Sequence, residues 1–107
     1  MTLEEVATLI SSFGFSCRYS HFSETPAPPY VVYYYPNSND VFADSSNYVD
    51  KRALHIELFT NTKDFESEET IEAALKEAGL SWYKSTDFLN DELLFQTTYE
   101  TEVIING

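Results

Sequence analysis

The side chains of this 107-residue chain that could do chemistry are few and poorly grouped. His55 and Glu57 alternate along one run, so a strand would place both on the same face, where a metal ion could bridge them. No third ligand is spaced to join them, and a solvated polar pair on a sheet is the expected reading. Cys17 and His21 form a second grouping. A thiol nucleophile needs a base held against it and donors for the oxyanion, and the sequence identifies neither. Cys17 is therefore expected as a small buried side chain. With only Gly14, Gly79 and Gly107, no glycine loop can cradle a nucleotide. No two of the scattered carboxylates stand out as an acid–base couple. Catalytic residues, a metal and a cofactor are all expected to be absent, and the chain is not expected to be an enzyme.

Composition narrows the classes further. Hydrophobic residues make up 43% and aromatics 16%, too much for a disordered chain. The length suits one domain, spanning residues 1–107, with a single core. Six Lys and Arg stand against eighteen Asp and Glu, a formal charge of −12. A protein that grips phosphates needs a basic footprint, so a nucleic-acid grip is excluded. Such acidity serves solubility, repels DNA or imitates it. The lone Cys17 rules out an intrachain disulfide. No basic leader or apolar run of membrane length is visible, so a reducing cytoplasm is expected and a membrane partner is not.

The elements that must position these residues centre on 30–60. Tyr30, Val31, Val32, Tyr33, Tyr34 and Tyr35 form a β-branched and aromatic run behind Pro28 and Pro29. Leu54, Ile56 and Leu58 alternate with His55, Glu57 and Phe59 in a second run over 48–60. The two read as neighbouring strands in the middle of a sheet, with 36–47 as a projecting loop too long for a tight turn. Thr2 and Glu5 have capping-box spacing, and Leu3, Val6, Ala7, Ile10 and Phe13 recur at helical intervals, predicting a helix over 3–13 that stops at Gly14. Residues 15–22 predict a short strand. A second helix over 66–78, capped by Asp64 or Ser67, stops at Gly79. Strands over 80–88 and 93–105 follow, the latter with its odd-numbered face inward. The expected fold is α+β, a single antiparallel or mixed β-sheet of about four to six strands with two helices packed on one face. The core should hold Leu3, Val6, Ile10, Phe13, Leu54, Ile56, Leu58, Ile71, Leu75, Leu93 and Phe95. Three consecutive tyrosines, with Phe59 and Ile104 on the opposite parity, leave more apolar sheet than two short helices can cover, which points to self-association.

Several stretches together resemble the tail-completion, or tail-terminator-like, head–tail joining proteins of long-tailed bacteriophages and of prophages of Gram-positive bacteria. They are Pro28-Pro29-Tyr30 leading into the aromatic strand, then Asp40-Val41-Phe42-Ala43-Asp44, then Ile56 through Asp64. Glu68 to Leu75, Trp82-Tyr83-Lys84 and Leu93-Leu94-Phe95 complete the likeness, which runs from about Tyr30 to Val103. The resemblance implies a structural virion protein without active site or cofactor. It would cap the finished tail tube as a ring, commonly of six copies, and face the head–tail connector. Its partners would be itself, the tail tube protein and the connector protein, with double-stranded DNA only in passage. Its place would be the virion tail, assembled in the host bacterial cytoplasm. A negative lumen would let DNA slide without binding. Tyr33, Tyr35, Asn39, Asp40, Phe42, Asp44 and Phe59 are the residues expected to make contacts. An acidic DNA-mimic inhibitor, or a small cytoplasmic adaptor whose sheet edge accepts a strand, would share the same composition.

Overall fold

The computed structural model describes residues 1–36 and 50–106. In chain order the elements are α1 (Leu3–Ser11), β1 (Ser16–Tyr19), β2 (Tyr30–Tyr34), β3 (Asp50–Thr60), α2 (Phe65–Glu77), β4 (Trp82–Leu89) and β5 (Leu94–Ile105). One five-stranded sheet has the order β1-β2-β3-β5-β4. Its neighbours are antiparallel except β1 and β2, which run parallel, so the sheet is mixed. The expected α+β class holds, with β3 as the middle strand.

Local chemistry explains where the helices begin and end. Thr2 Oγ1 accepts the Glu5 amide at 3.0 Å while the Glu5 carboxylate accepts the Thr2 amide at 2.8 Å. This reciprocal box satisfies two donors that the first turn would leave free. α1 stops at Ser11, two residues earlier than its apolar periodicity suggests. The amides of Phe13 and Gly14 donate three residues back, to Ile10 and Ser11, tightening the last turn before Gly14 takes φ +90°. For α2 the cap is Asp64, not Ser67: its carboxylate accepts the Ser67 amide at 3.0 Å and the Ser67 hydroxyl at 2.7 Å. Those donations hold the Asp64 carboxyl below its usual range. α2 ends in a Schellman motif, with Leu80 N–H on the Leu75 carbonyl, Gly79 N–H on Lys76, and Gly79 at φ +79°.

β3 sorts the molecule into two sides. Leu54, Ile56 and Leu58 are fully buried, with Val31 of β2 and Tyr99 and Val103 of β5 on the same face. Val6, Ile10 and Phe13 from the α1 region and Ile71 and Leu75 from α2 complete this one cluster, so both helices cover the same face. The odd-numbered face of β5 points inward from Thr97 to Val103, as its alternation predicts.

Two expected core leucines are corrected. Leu3 is 47% exposed, because it sits at the start of α1 on the rim of the sheet rather than over it. Leu93 is 67% exposed, because it belongs to the β4–β5 turn with φ +55° and so falls outside the strand alternation. Leu94 is buried in its place, and Phe95 is half-buried against Phe88. The first strand is also shorter than residues 15–22, ending where Ser20 turns to φ +71°. The strand expected over 80–88 begins later, at Trp82.

Two substitutions separate core from turn. Ile56→Ala deletes a fully buried side chain from the central strand and is expected to cost about 2–5 kcal/mol. Leu93→Gly relieves a left-handed residue while raising unfolded-chain entropy, so it should stay within about 1 kcal/mol of the natural chain. Urea denaturation of both variants checks the assignment.

Candidate interaction surface

Among the described residues the helix-covered side carries one buried charge. Glu68, in the first turn of α2, is 3% exposed and meets two lysines. Lys63 Nζ donates to its Oε2 at 2.5 Å, and Lys84 of β4 lies 2.6 Å from Oε1. The Lys84 approach is off the direction of a hydrogen bond, so that contact is an ion pair. Lys84 also donates to Glu72 at 2.7 Å, and the Tyr99 hydroxyl donates to the same Glu72 oxygen at 2.8 Å. Burial by itself would raise the Glu68 pKa, yet the two lysines hold it below its usual range. Burial would likewise lower that of Lys84, which Glu68 and Glu72 instead raise. Burial and the neighbouring Glu72 push Tyr99 upward, keeping its hydroxyl a donor. The network fastens the edge strand β4 to α2 and is a structural device.

Among the described residues the opposite face of the sheet has no helix over it. Tyr30 stacks on Phe59 with ring centroids 4.8 Å apart, and Phe22 closes over Tyr30 edge-on at 5.5 Å. Phe59 is thereby half-buried. Farther along, the Tyr34 hydroxyl donates to Glu57 at 3.1 Å and meets His55 Nδ1 at 3.2 Å, while His55 Nε2 faces Glu100 at 3.6 Å. The His55–Glu57 pair thus shares a face, as their spacing predicts, and a tyrosine hydroxyl joins them. Among the described residues no group of three or more His, Cys, Asp or Glu could hold a metal ion. Lys51 and Glu102 pair loosely at 3.9 Å, and Ile104 stands exposed beside them. Among the described residues Glu57, Glu100 and Glu102 outnumber the cations Lys51 and Arg18 on this face.

Tyr33 and Tyr35 lie on the helix-covered face instead, pointing the same way as Leu54 and Ile56. Tyr19 of β1 packs on both, at 5.3 Å from Tyr33 and 5.8 Å from Tyr35. With Leu3 and Arg52 they line a cavity of about 310 Å³ at the end of the sheet where β3 begins. The Arg52 guanidinium sits 5.8 Å from the centre of the Tyr35 ring. The Tyr35 hydroxyl is buried without a hydrogen-bond partner, and burial pushes its pKa up to about 12. Asn39, Asp40, Phe42 and Asp44 fall outside the described residues. Cys17 and His21 are not brought together: Cys17 Sγ lies 3.8 Å from the Ser11 hydroxyl and His21 Nδ1 3.2 Å from Ser20 Oγ.

Sequence reasoning missed the Glu68 centre. Three glutamates at the start of α2 read as partners of the helix dipole, and only the parity shared by Trp82, Lys84 and the inward face of β4 hinted that a lysine would reach one of them.

No protein-family model and no curated protein sequence matches the chain. Among solved structures it is similar in fold to a chain of a particle described as the virion of a native gene transfer agent. The TM-score is 0.57 at 15% identity, over 98% of this chain and 89% of that one. The likeness is therefore one of fold, and it extends nearly end to end in both chains.

The buried centre sets a pH dependence. Glu68 has a folded pKa below its ordinary 4.5, so its stabilising contribution is complete above that value and is lost as pH falls through the folded one. Glu68→Gln should cost about 1–3 kcal/mol at neutral pH and flatten the acid limb of stability against pH. Tyr35→Phe removes an unsatisfied buried hydroxyl and should be neutral or stabilising by up to about 1 kcal/mol. Equilibrium denaturation across pH reads both.

Proposed function

We propose that the chain is a structural protein of a phage-like virion, capping the tail tube as a homo-oligomeric ring and joining tail to head. The observation that supports this is the fold likeness to a virion chain, which takes in 98% of this chain and 89% of that one. The sequence resemblance to tail-completion proteins, which rests on residue types rather than on fold, points the same way. Among the described residues the one buried carboxylate, Glu68, is engaged by two lysines, and Cys17 lies beside the Ser11 hydroxyl rather than His21.

The electrostatics fit DNA passage. Glu57, Glu100 and Glu102 make the uncovered sheet face acidic, and Glu66, Glu69 and Glu77 do the same for the exposed side of α2. A duplex would slide past either surface without losing its counterions to the protein. Charge repulsion between copies at −12 means that ring closure should require salt, high concentration or the tube end as template.

Disrupting the gene in a phage or prophage that carries it tests the reading. Over-long tails, or tails without heads, are expected by electron microscopy. Normal tails joined to heads would refute it, and tight binding of the purified chain to a nuclease would favour the DNA-mimic alternative.

A further inference from the structure

We propose that copies of the chain join edge to edge into one continuous sheet, β4 of each copy pairing antiparallel with β1 of the next. The inference rests on the reading of the chain as a self-assembling ring and names the surfaces that would close it.

Among the described residues no strand pairs with the outer side of β4 or of β1. An open edge offers a row of backbone donors and acceptors to any extended chain, and folded proteins ordinarily blunt it with proline, a bulge or an outward lysine. β4 uses none of these devices. It holds no proline, its register with β5 is unbroken, and Lys84 is turned onto Glu68 and Glu72. β1 is the shorter edge, four residues long, and it too is mostly exposed.

The pairings within one copy fix how the two edges can meet. β5 is antiparallel to both β3 and β4, so β4 runs with β3. β2 is antiparallel to β3 and parallel to β1, so β1 runs against β3. Two copies laid side by side, helices on the same side, therefore present β4 and β1 as an antiparallel pair, the more stable geometry.

Side chains on the two edges match as well. Arg18 and Asp87 both stand on the helix-free face, opposite Val32 and Gln96 of the neighbouring strands. Arg18 reaches the Cys17 carbonyl at 3.4 Å and the Phe22 ring at 5.9 Å, but no carboxylate among the described residues, and Asp87 meets no cation there. Setting Arg18 across from Asp87 puts Ser16 across from Leu89 and brings Tyr19 diagonal to Phe88 on the helix-covered face. Tyr19 and Phe88 are 47% and 45% exposed in the single chain, and this register covers both. Because the two edges differ, the contact is heterologous and generates a ring if the rotation closes. The acidic, helix-free faces of all copies then lie on one side of the wall.

Cysteine pairing and charge reversal test the register. In the Cys17→Ser full-length chain, Ser16→Cys and Leu89→Cys are made as separate variants, mixed at high concentration and high salt, and oxidised. Leu89→Cys mixed with Glu77→Cys, an exposed site on α2, sets the collisional background. Directly opposed antiparallel residues lie within disulfide reach, so linked dimers about tenfold or more above that background are expected. Adding Asp87→Arg to the Leu89→Cys chain lowers the overall negative charge, and general repulsion alone would then raise the yield. The register instead predicts a fall of about threefold or more, recovered when the Ser16→Cys chain carries Arg18→Asp. A yield that Asp87→Arg raises would overturn the proposal. Background-level product in the first mixture would overturn it too, whether or not the unmodified chain forms oligomers. The ring reading stands or falls separately, on the tail phenotype.

Discussion

The eleven residues of β3 must pair on both edges while burying only one face, and most of the molecule follows from that constraint. Pairing on both edges forces β2 and β5 into registers that carry Val31, Tyr99 and Val103 to the same side as Leu54, Ile56 and Leu58. A single apolar face that wide must be covered from one direction. α1 and α2 supply the cover, the first fixed at its start by the Thr2–Glu5 box and the second by the Asp64 carboxylate. The uncovered face is left to polar pairs and to the Phe22–Tyr30–Phe59 stack.

The Glu68 centre solves a secondary problem at the sheet margin. β4 is an edge strand whose side chains are mostly exposed, so burial gives it little attachment. Lys84 ties it instead to α2 through Glu68 and Glu72, with Tyr99 of the central pair beneath. Burying a carboxylate is costly unless it is matched, and here two lysines match it while their own charges reach water. With β4 anchored along its length, the turn beyond Leu89 can project without weakening the hairpin.

Much of the fold was legible because its signals are local. Thr2 with Glu5, the two glycine stops and the alternation of residues 54–58 each have a geometric cause that a short window contains. Both helices could be placed on one face because each is capped and amphipathic and the strands between them alternate. What failed depended on distant or turn geometry. Leu93 has the right parity for the core, but a left-handed turn residue does not obey strand parity. Leu3 lies on the apolar stripe of α1, yet the sheet ends beneath it. Tyr33 and Tyr35 were expected as contact residues from composition, and whether they face a partner turns on the cavity they form with Tyr19, which residue spacing does not reveal. Glu68 needed a lysine sixteen positions away, on a strand whose neighbours only the folded sheet defines.

The central claim, that this chain is a ring at the head-proximal end of a tail tube, is tested most directly by averaged electron cryomicroscopy of intact particles that encode it. Density at the junction of tube and connector should accommodate copies of this five-stranded sheet in rotational symmetry, with the acidic groups of each copy toward the channel. A junction fully accounted for by other proteins, with this chain absent from the particle, would contradict it.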